Sequence, residues 1–204
     1  MWKRTSLIGA GALVVLAIST GCSASNEPEH PAGHTSSSSA AAAPTSTAAE
    51  AHNDADVMFA QHMIPHHHQA MEMSDMLLGK QGIDPRVVQL ANQIKAAQGP
   101  DIQQMQGWLT EWGTPAMPPM SGDDMPSMQG MMSDADMTAL QNAQAVEASK
   151  LFLTQMIAHH EGAITMAQTE IKDGQYPPAV ELAHAIATTQ QQEIDTMKSI
   201  LATL

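Results

Sequence analysis

The stretches Phe59–Met73, FAQHMIPHHHQAMEM, and Phe152–Met166, FLTQMIAHHEGAITM, are two copies of one pattern, 93 residues apart. Phe59 aligns with Phe152, Met63 with Met156, Ile64 with Ile157, His66 with His159, His67 with His160, Ala70 with Ala163 and Met73 with Met166. Downstream the match continues at an offset of 92: Pro85, Leu90, Ala91, Ile94, Gln98, Ile102, Met105 and Leu109 meet Pro177, Leu182, Ala183, Ile186, Gln190, Ile194, Met197 and Leu201. Self-similarity of this kind marks one supersecondary unit used twice.

Each copy reads as two helices, because apolar residues recur at spacings of three and four with breakers between the halves. Asn53 or Asp54 caps the first helix, Gly79 and Gly174 close the first helix of each copy, and Pro85 and Pro177 stand in the first turn of the second. A proline there loses no hydrogen bond, since that N–H has no partner in the helix. One hairpin cannot bury both of its apolar stripes, whereas two can close on each other. The expected fold is all-α, an antiparallel four-helix bundle built from a tandemly duplicated hairpin. Hairpin 1 covers 53–112, a Met-rich loop 113–132 and hairpin 2 133–204, where Ser133 caps a short additional helix through about Ala143. Pro65 and Gly99-Pro100 are expected to kink their helices, since each proline removes a backbone donor.

At about 100° per residue, Phe59, Met63, His66, Ala70 and Met73 fall on one face, as do Phe152, Met156, His159, Ala163 and Met166. Phe and Ala on that face mark it as buried, so the histidines point between helices. His67 and His160 flank it, each four residues after a methionine. A methionine stripe alone is usually core filler. A His-His pair recurring at equivalent positions with methionines on both sides points instead to metal ligation. Thioether sulfur favours soft ions, and neutral imidazole suits copper, so the combination selects Cu(I), with silver as a chemical mimic. Zinc or nickel would have to bind through the histidines alone. The primary candidate ligands are Met63, His66, His67, Met73, Met156, His159, His160 and Met166. Whether the copies share one site depends on which helices lie side by side: adjacent first helices favour sharing, and a diagonal placement also allows it.

Supplementary candidates are His62, His68 and Met71, present only in the first copy, and Met117, Met120, Met125, Met128, Met131 and Met132 in the interhairpin loop. The loop methionines lie among Pro, Gly, Ser and Asp, as weak, exchangeable Cu(I) ligands would, or as side chains that merely touch the bundle.

The chain's start has the layout of a secretory signal over 1–21: Lys3 and Arg4, an apolar run from Leu7 to Ile18, then small residues. That run is too short to span a bilayer. It ends in Ser19-Thr20-Gly21-Cys22, where Gly before Cys fits lipoprotein processing, so Cys22 is the expected lipidation site and the membrane a partner through that lipid. As the single cysteine, it allows no intrachain disulfide. The rest of 22–52 is Ser, Ala, Thr and Pro without apolar periodicity, the composition of a disordered tether reaching roughly 30 Å as a random coil. Its histidines His30, His34 and His52 are expected to be solvated. The expected location is the extracytoplasmic face of the cell membrane. A net charge of -13 and few aromatic residues argue against nucleic acid as a partner.

Enzyme signatures are missing. A ferritin-like di-iron bundle needs two Glu-x-x-His motifs on its helices, and within 53–204 only Glu181-x-x-His184 fits, on a face expected to meet water. No phosphate-binding glycine loop, Gly-x-Ser-x-Gly elbow or His-Glu-x-x-His helix occurs. The chain is therefore not expected to be an enzyme, and a copper or iron redox activity is the weakest of the readings weighed.

The motifs MIPHHHQAMEM and MIAHHEGAITMA, with GMMSDADM between them, resemble those of the bacterial domain of unknown function 305 (DUF 305) family, over Asn53 to Leu204. The resemblance implies a ferritin-like four-helix bundle, export, and a part in periplasmic copper binding and copper resistance. It carries that role onto Met63, His66, His67, Met73, Met156, His159, His160 and Met166, and onto Met131 and Met132. Gly99-Pro100 departs from the unbroken helix usual in the family. Two readings follow: a lipoprotein that sequesters Cu(I) or delivers it to a copper-handling protein, and a metal-independent envelope scaffold whose acidic surface binds a partner protein.

Overall fold

The computed structural model describes residues 51–115 and 128–204, and it is helical throughout its regular structure. The signal segment, Cys22, most of the tether, and Met117, Met120 and Met125 lie outside the described residues. Five helices follow in order: α1 Asp54–Leu78, α2 Pro85–Glu111, α3 Asp134–Asn142, α4 Ala145–Asp173 and α5 Pro177–Leu201.

The ends obey local chemistry. Asn53 caps α1 in a reciprocal box with Asp56, and Ser133 caps α3 in the same way with Asp136, each satisfying donors the first turn leaves unpaired. Gly79 and Gly174 stand at the C-caps of α1 and α4, and Pro85 and Pro177 at the starts of α2 and α5. Neither internal proline ends its helix: α1 continues through Pro65 and α2 through Pro100. Neighbouring helices hold the chain helical where local propensity alone would break it.

α1 packs most extensively on α2, and α4 on α5, which are the two hairpins; α1 then packs on α4, while α2 and α5 touch more lightly. The first helices of the two copies are thus neighbours. They run antiparallel, since Asn53 at the start of α1 donates from Nδ2 to the carbonyl of Asp173 at the end of α4, 2.9 Å away. The apolar core is divided in two. One cluster gathers Met73, Leu77, Leu90, Ile94, Phe152, Met156, Ile194 and Met197. The other gathers Phe59, Met63, Ile102, Met105, Trp108, Ala163, Leu182 and Ile186. α3 joins the first cluster through Leu140, which is fully buried.

Where α1, α4 and α5 meet, Asp56 accepts hydrogen bonds from the backbone N–H of Asn53, Gln175 and Tyr176 at 2.6, 3.0 and 2.9 Å. Burial alone would raise its pKa, but those bonds and the Glu170 side chain hold the carboxyl below its ordinary value. Glu170 is pushed the other way, up to about 8, by burial first and then by Asp56. Gly174 makes the space: a Cβ there would stand 2.3 Å from Glu170 Oε1.

The segment before α3 is seated on the α1–α4 seam. Gln69 grips the Met132 backbone twice, donating to its carbonyl at 2.8 Å and accepting from its N–H at 2.7 Å. Gly130, with φ +88°, lies against Gly162, where a Cβ would come within 1.8 Å of the Gln129 carbonyl oxygen. Gly162→Ala should therefore cost about 2 kcal/mol, as overpacked sites do, lowering the thermal midpoint by roughly 4–8 °C in a domain of this size. Thermal denaturation followed by circular dichroism checks this.

Glu170 supplies a pH signature. Its folded pKa of about 8 lies above its ordinary 4.5, so its stabilisation is complete below about 4.5 and is lost as pH rises through 8. From pH 6.5 to 8 the midpoint of the metal-free protein should fall, and in Glu170→Gln it should stay level. A series of melts across that range distinguishes the two.

Candidate metal centre

Between the two apolar clusters lies a polar layer. His66 and His67 enter it from α1 and His159 and His160 from α4, all four with no exposed surface. The antiparallel seam brings the inner pair together: the rings of His66 and His159 are 3.7 Å apart between centroids, tilted by 39°. The second helices complete the layer. His67 Nε2 lies 3.3 Å from Asp101 Oδ2 on α2, and His160 Nε2 lies 2.7 Å from Glu193 Oε2 on α5. Gln98 and Gln190, one turn before those carboxylates, are 3% exposed, and Gln98 Nε2 and Oε1 and Gln190 Oε1 have no protein partner.

Hydrogen-bond chemistry then fixes the ring tautomers. A carboxylate oxygen can only accept, so His67 and His160 donate through Nε2. His66 Nε2 likewise faces an acceptor, the Gln129 carbonyl oxygen at 3.3 Å. In a neutral imidazole whose Nε2 carries the hydrogen, Nδ1 keeps its lone pair. The Nδ1 atoms of His66, His67 and His160 are buried and unpaired, as are both nitrogens of His159. Burial, followed by the charge of neighbouring histidines, drives His66 down to about 3 and His159 well below its ordinary value. Burial also lowers His67, against the opposing pull of Asp101. Neutral nitrogen lone pairs in a dry layer fit a metal ion, and a carboxylate behind a histidine is the usual arrangement that orients such a ligand.

The methionines flank the layer rather than lie in it. Met63 and Met156 are fully buried three residues from His66 and His159, roughly 4.5 Å along their helices. Met73 and Met166 are seven residues away, roughly 10 Å. Met63 and Met166 belong to one apolar cluster, Met73 and Met156 to the other, so each cluster holds one methionine from each copy. Met166 is only partly buried, although the helical pattern puts it on the buried face. Among the described residues, no three His, Cys, Asp or Glu side chains are already gathered into a metal-coordinating group.

The supplementary candidates scatter. His68 is exposed, and His62 and Met71 are partly buried away from the layer. Met128, Met131 and Met132 are partly buried in the segment seated over the seam. His52 stacks on Trp112 with ring centroids 4.5 Å apart, and His184 is exposed, facing water as its helical position implies. Asp101 and Glu193 are the residues the sequence reading missed. Their signal was present, since the 92-residue offset that pairs Gln98 with Gln190 also pairs Asp101 with Glu193.

The comparisons agree with this architecture. The family model described as "Domain of unknown function (DUF305)" matches residues 56–201. A crystal structure of a DUF305 fragment from Deinococcus radiodurans is 34% identical, with a TM-score of 0.68, covering 74% of this chain and 98% of its own. CopM in the Cu(I)-bound form is 29% identical, with a TM-score of 0.61 and 72% and 96% coverage. CopM in an Ag-bound form is 30% identical, with a TM-score of 0.59 and 72% and 95% coverage. No curated protein matches the chain.

The depressed histidines make an acid limit. His66 folds with a pKa of about 3 against an ordinary 6.5, so its stabilisation is present above 6.5 and is lost as pH falls toward 3. The metal-free thermal midpoint should drop below pH 6.5, and the slope should lessen in His66→Gln/His159→Gln. Melts between pH 4 and 6.5, with tightly bound metal removed beforehand, test the point.

Proposed function

The chain belongs to the DUF305 family, and on that premise we propose that it is an exported, lipid-anchored protein that sequesters Cu(I) or delivers it. The observation that carries this reading is the layer of four fully buried histidines, the Nδ1 atom of each of which has no partner. Such atoms cost free energy unless something occupies them. A cation that accepts nitrogen and sulfur donors would do so, with His66, His67, His159 and His160 as its nitrogen ligands. Met63, Met73 and Met156, all fully buried, supply soft sulfur on either side, while Met166 is only partly buried. Asp101 and Glu193 act behind the ring, holding the Nε2 proton and leaving Nδ1 to the ion. CopM, to which the chain is similar, has Cu(I)-, Cu(II)- and Ag-bound forms. Cys22 anchors the protein by its lipid, no helix among the described residues is long and apolar enough to cross a membrane, and a copper-handling protein is the partner for delivery.

The alternative, a metal-independent envelope scaffold, would use the methionines and histidines only as core, in keeping with the methionines' places in the two apolar clusters. The two readings part in an anaerobic Cu(I) titration of the full chain against a competing chelator, with Zn(II) as control. Copper binding predicts tight, stoichiometric Cu(I) uptake that zinc does not match, and affinity lowered about 10- to 100-fold in Asp101→Asn or Glu193→Gln, the usual effect of removing a histidine's orienting partner. His66→Ala/His159→Ala should lower it further with helicity kept. Ligand excess of a thousandfold should stabilise the fold by about 4 kcal/mol. A thermal midpoint indifferent to Cu(I) would select the scaffold.

A further inference from the structure

The two copies differ along the α1–α4 seam. In the second copy's half, α3 covers the seam: Leu140 is buried against Phe152 and Leu153, and Gln155 Nε2 donates to the Asp136 carbonyl at 2.9 Å. The first copy's half has no such cover among the described residues. It holds an open groove of about 380 Å³, lined by Met58, Phe59, His62, Met166, Glu170 and Asp173. The symmetry-related positions of Met58 and His62 are Leu151 and Gln155, so soft ligands stand where the uncovered half faces solvent and are replaced where α3 packs.

Core packing does not account for Met58. It is 55% exposed, one of two large hydrophobic side chains so exposed among the described residues. Met58 and His62 are four residues apart on α1, the spacing at which side chains meet, and Met166 reaches the same groove from α4. Two thioethers and an imidazole make a soft donor set, and Asp173 at the rim adds negative charge that concentrates cations. The groove is also close to the layer along the helix: His62 stands one turn before the buried His66 on α1, about 6 Å along its axis.

We propose that Met58, His62 and Met166 form a separate entry site for a soft monovalent cation, outside the histidine layer and loading it. This deepens the copper reading and rests on it. The test is Ag(I) titration of the full chain, followed by methyl NMR of labelled methionines, in wild type, Met58→Leu/His62→Gln/Met166→Leu, and His66→Ala/His159→Ala. The expected result is that the Met58 and Met166 methyls shift in wild type and in the histidine variant. The groove variant, with unchanged circular dichroism, should lose one equivalent and load the histidine layer several-fold more slowly. Unmoved Met58 and Met166 methyls, or a groove variant with full stoichiometry and an unchanged loading rate, would overturn the entry site while leaving the central site standing. Loss of the methyl shifts in the histidine variant would overturn its independence. No Ag(I) uptake by wild type would overturn both readings together.

Discussion

Four histidines with no exposed surface meet at the middle of the α1–α4 seam, and the rest of the bundle is arranged around the need to keep them buried and oriented. Burial drives the inner pair toward the neutral form, and two imidazoliums with ring centroids 3.7 Å apart would repel strongly in a buried site. The layer divides the apolar core into two clusters, and each remaining element serves it. α2 and α5 bring Asp101 and Glu193 to the outer rings, and the Gln129 carbonyl comes to His66 from the segment clamped by Gln69. Gly130 and Gly162 permit that approach, since side chains at either position would push the segment off the seam.

Duplication explains why the layer is nearly two-fold symmetric, and its lapses show where the two copies have diverged. His67 with Asp101 is answered by His160 with Glu193, and Gln98 by Gln190. The inner pair is not equivalent, because His66 bonds the Gln129 carbonyl while neither nitrogen of His159 has a partner. Among the described residues the Gln129 carbonyl is the acceptor brought to the seam there, and His66 uses it. The first copy keeps an open groove with soft ligands, whereas the second buries the corresponding surface under α3.

Much of the fold was legible because its determinants are local. Caps at Asn53 and Ser133, Pro85 and Pro177 at helix starts, and glycines at the ends of α1 and α4 are each decided within a turn or two. The buried face of His66 and His159 follows from helical period alone. What escaped the sequence depends on contacts between distant segments: α1 beside α4, Gln69 on Met132, Gly162 under Gln129, and Asp56 across from Tyr176. Asp101 and Glu193 were hidden differently. Each looks like an ordinary surface carboxylate in its own helix, and only the repeat, extended to polar positions, singles them out. The half-buried state of Met166 reflects the groove beside it, a tertiary feature that periodicity cannot contain.

The arrangement bears on which ion the layer could favour. With Nε2 committed to Asp101, Glu193 and the Gln129 carbonyl, His67, His160 and His66 each have one nitrogen left, and the carboxylates cannot be drawn inward as ligands without releasing the rings they orient. Oxygen donors are thereby held one step behind the interior, while sulfur lies in both flanking clusters. Hard ions would find few acceptable donors without rearranging the layer, whereas the donors left for a soft ion such as Cu(I) or Ag(I) are the unpaired ring nitrogens, with sulfur in the flanking clusters. On the proposed reading, selectivity thus comes from where the bundle keeps its carboxylates, and an Asp or Glu moved from the second helices onto α1 or α4 would erode it.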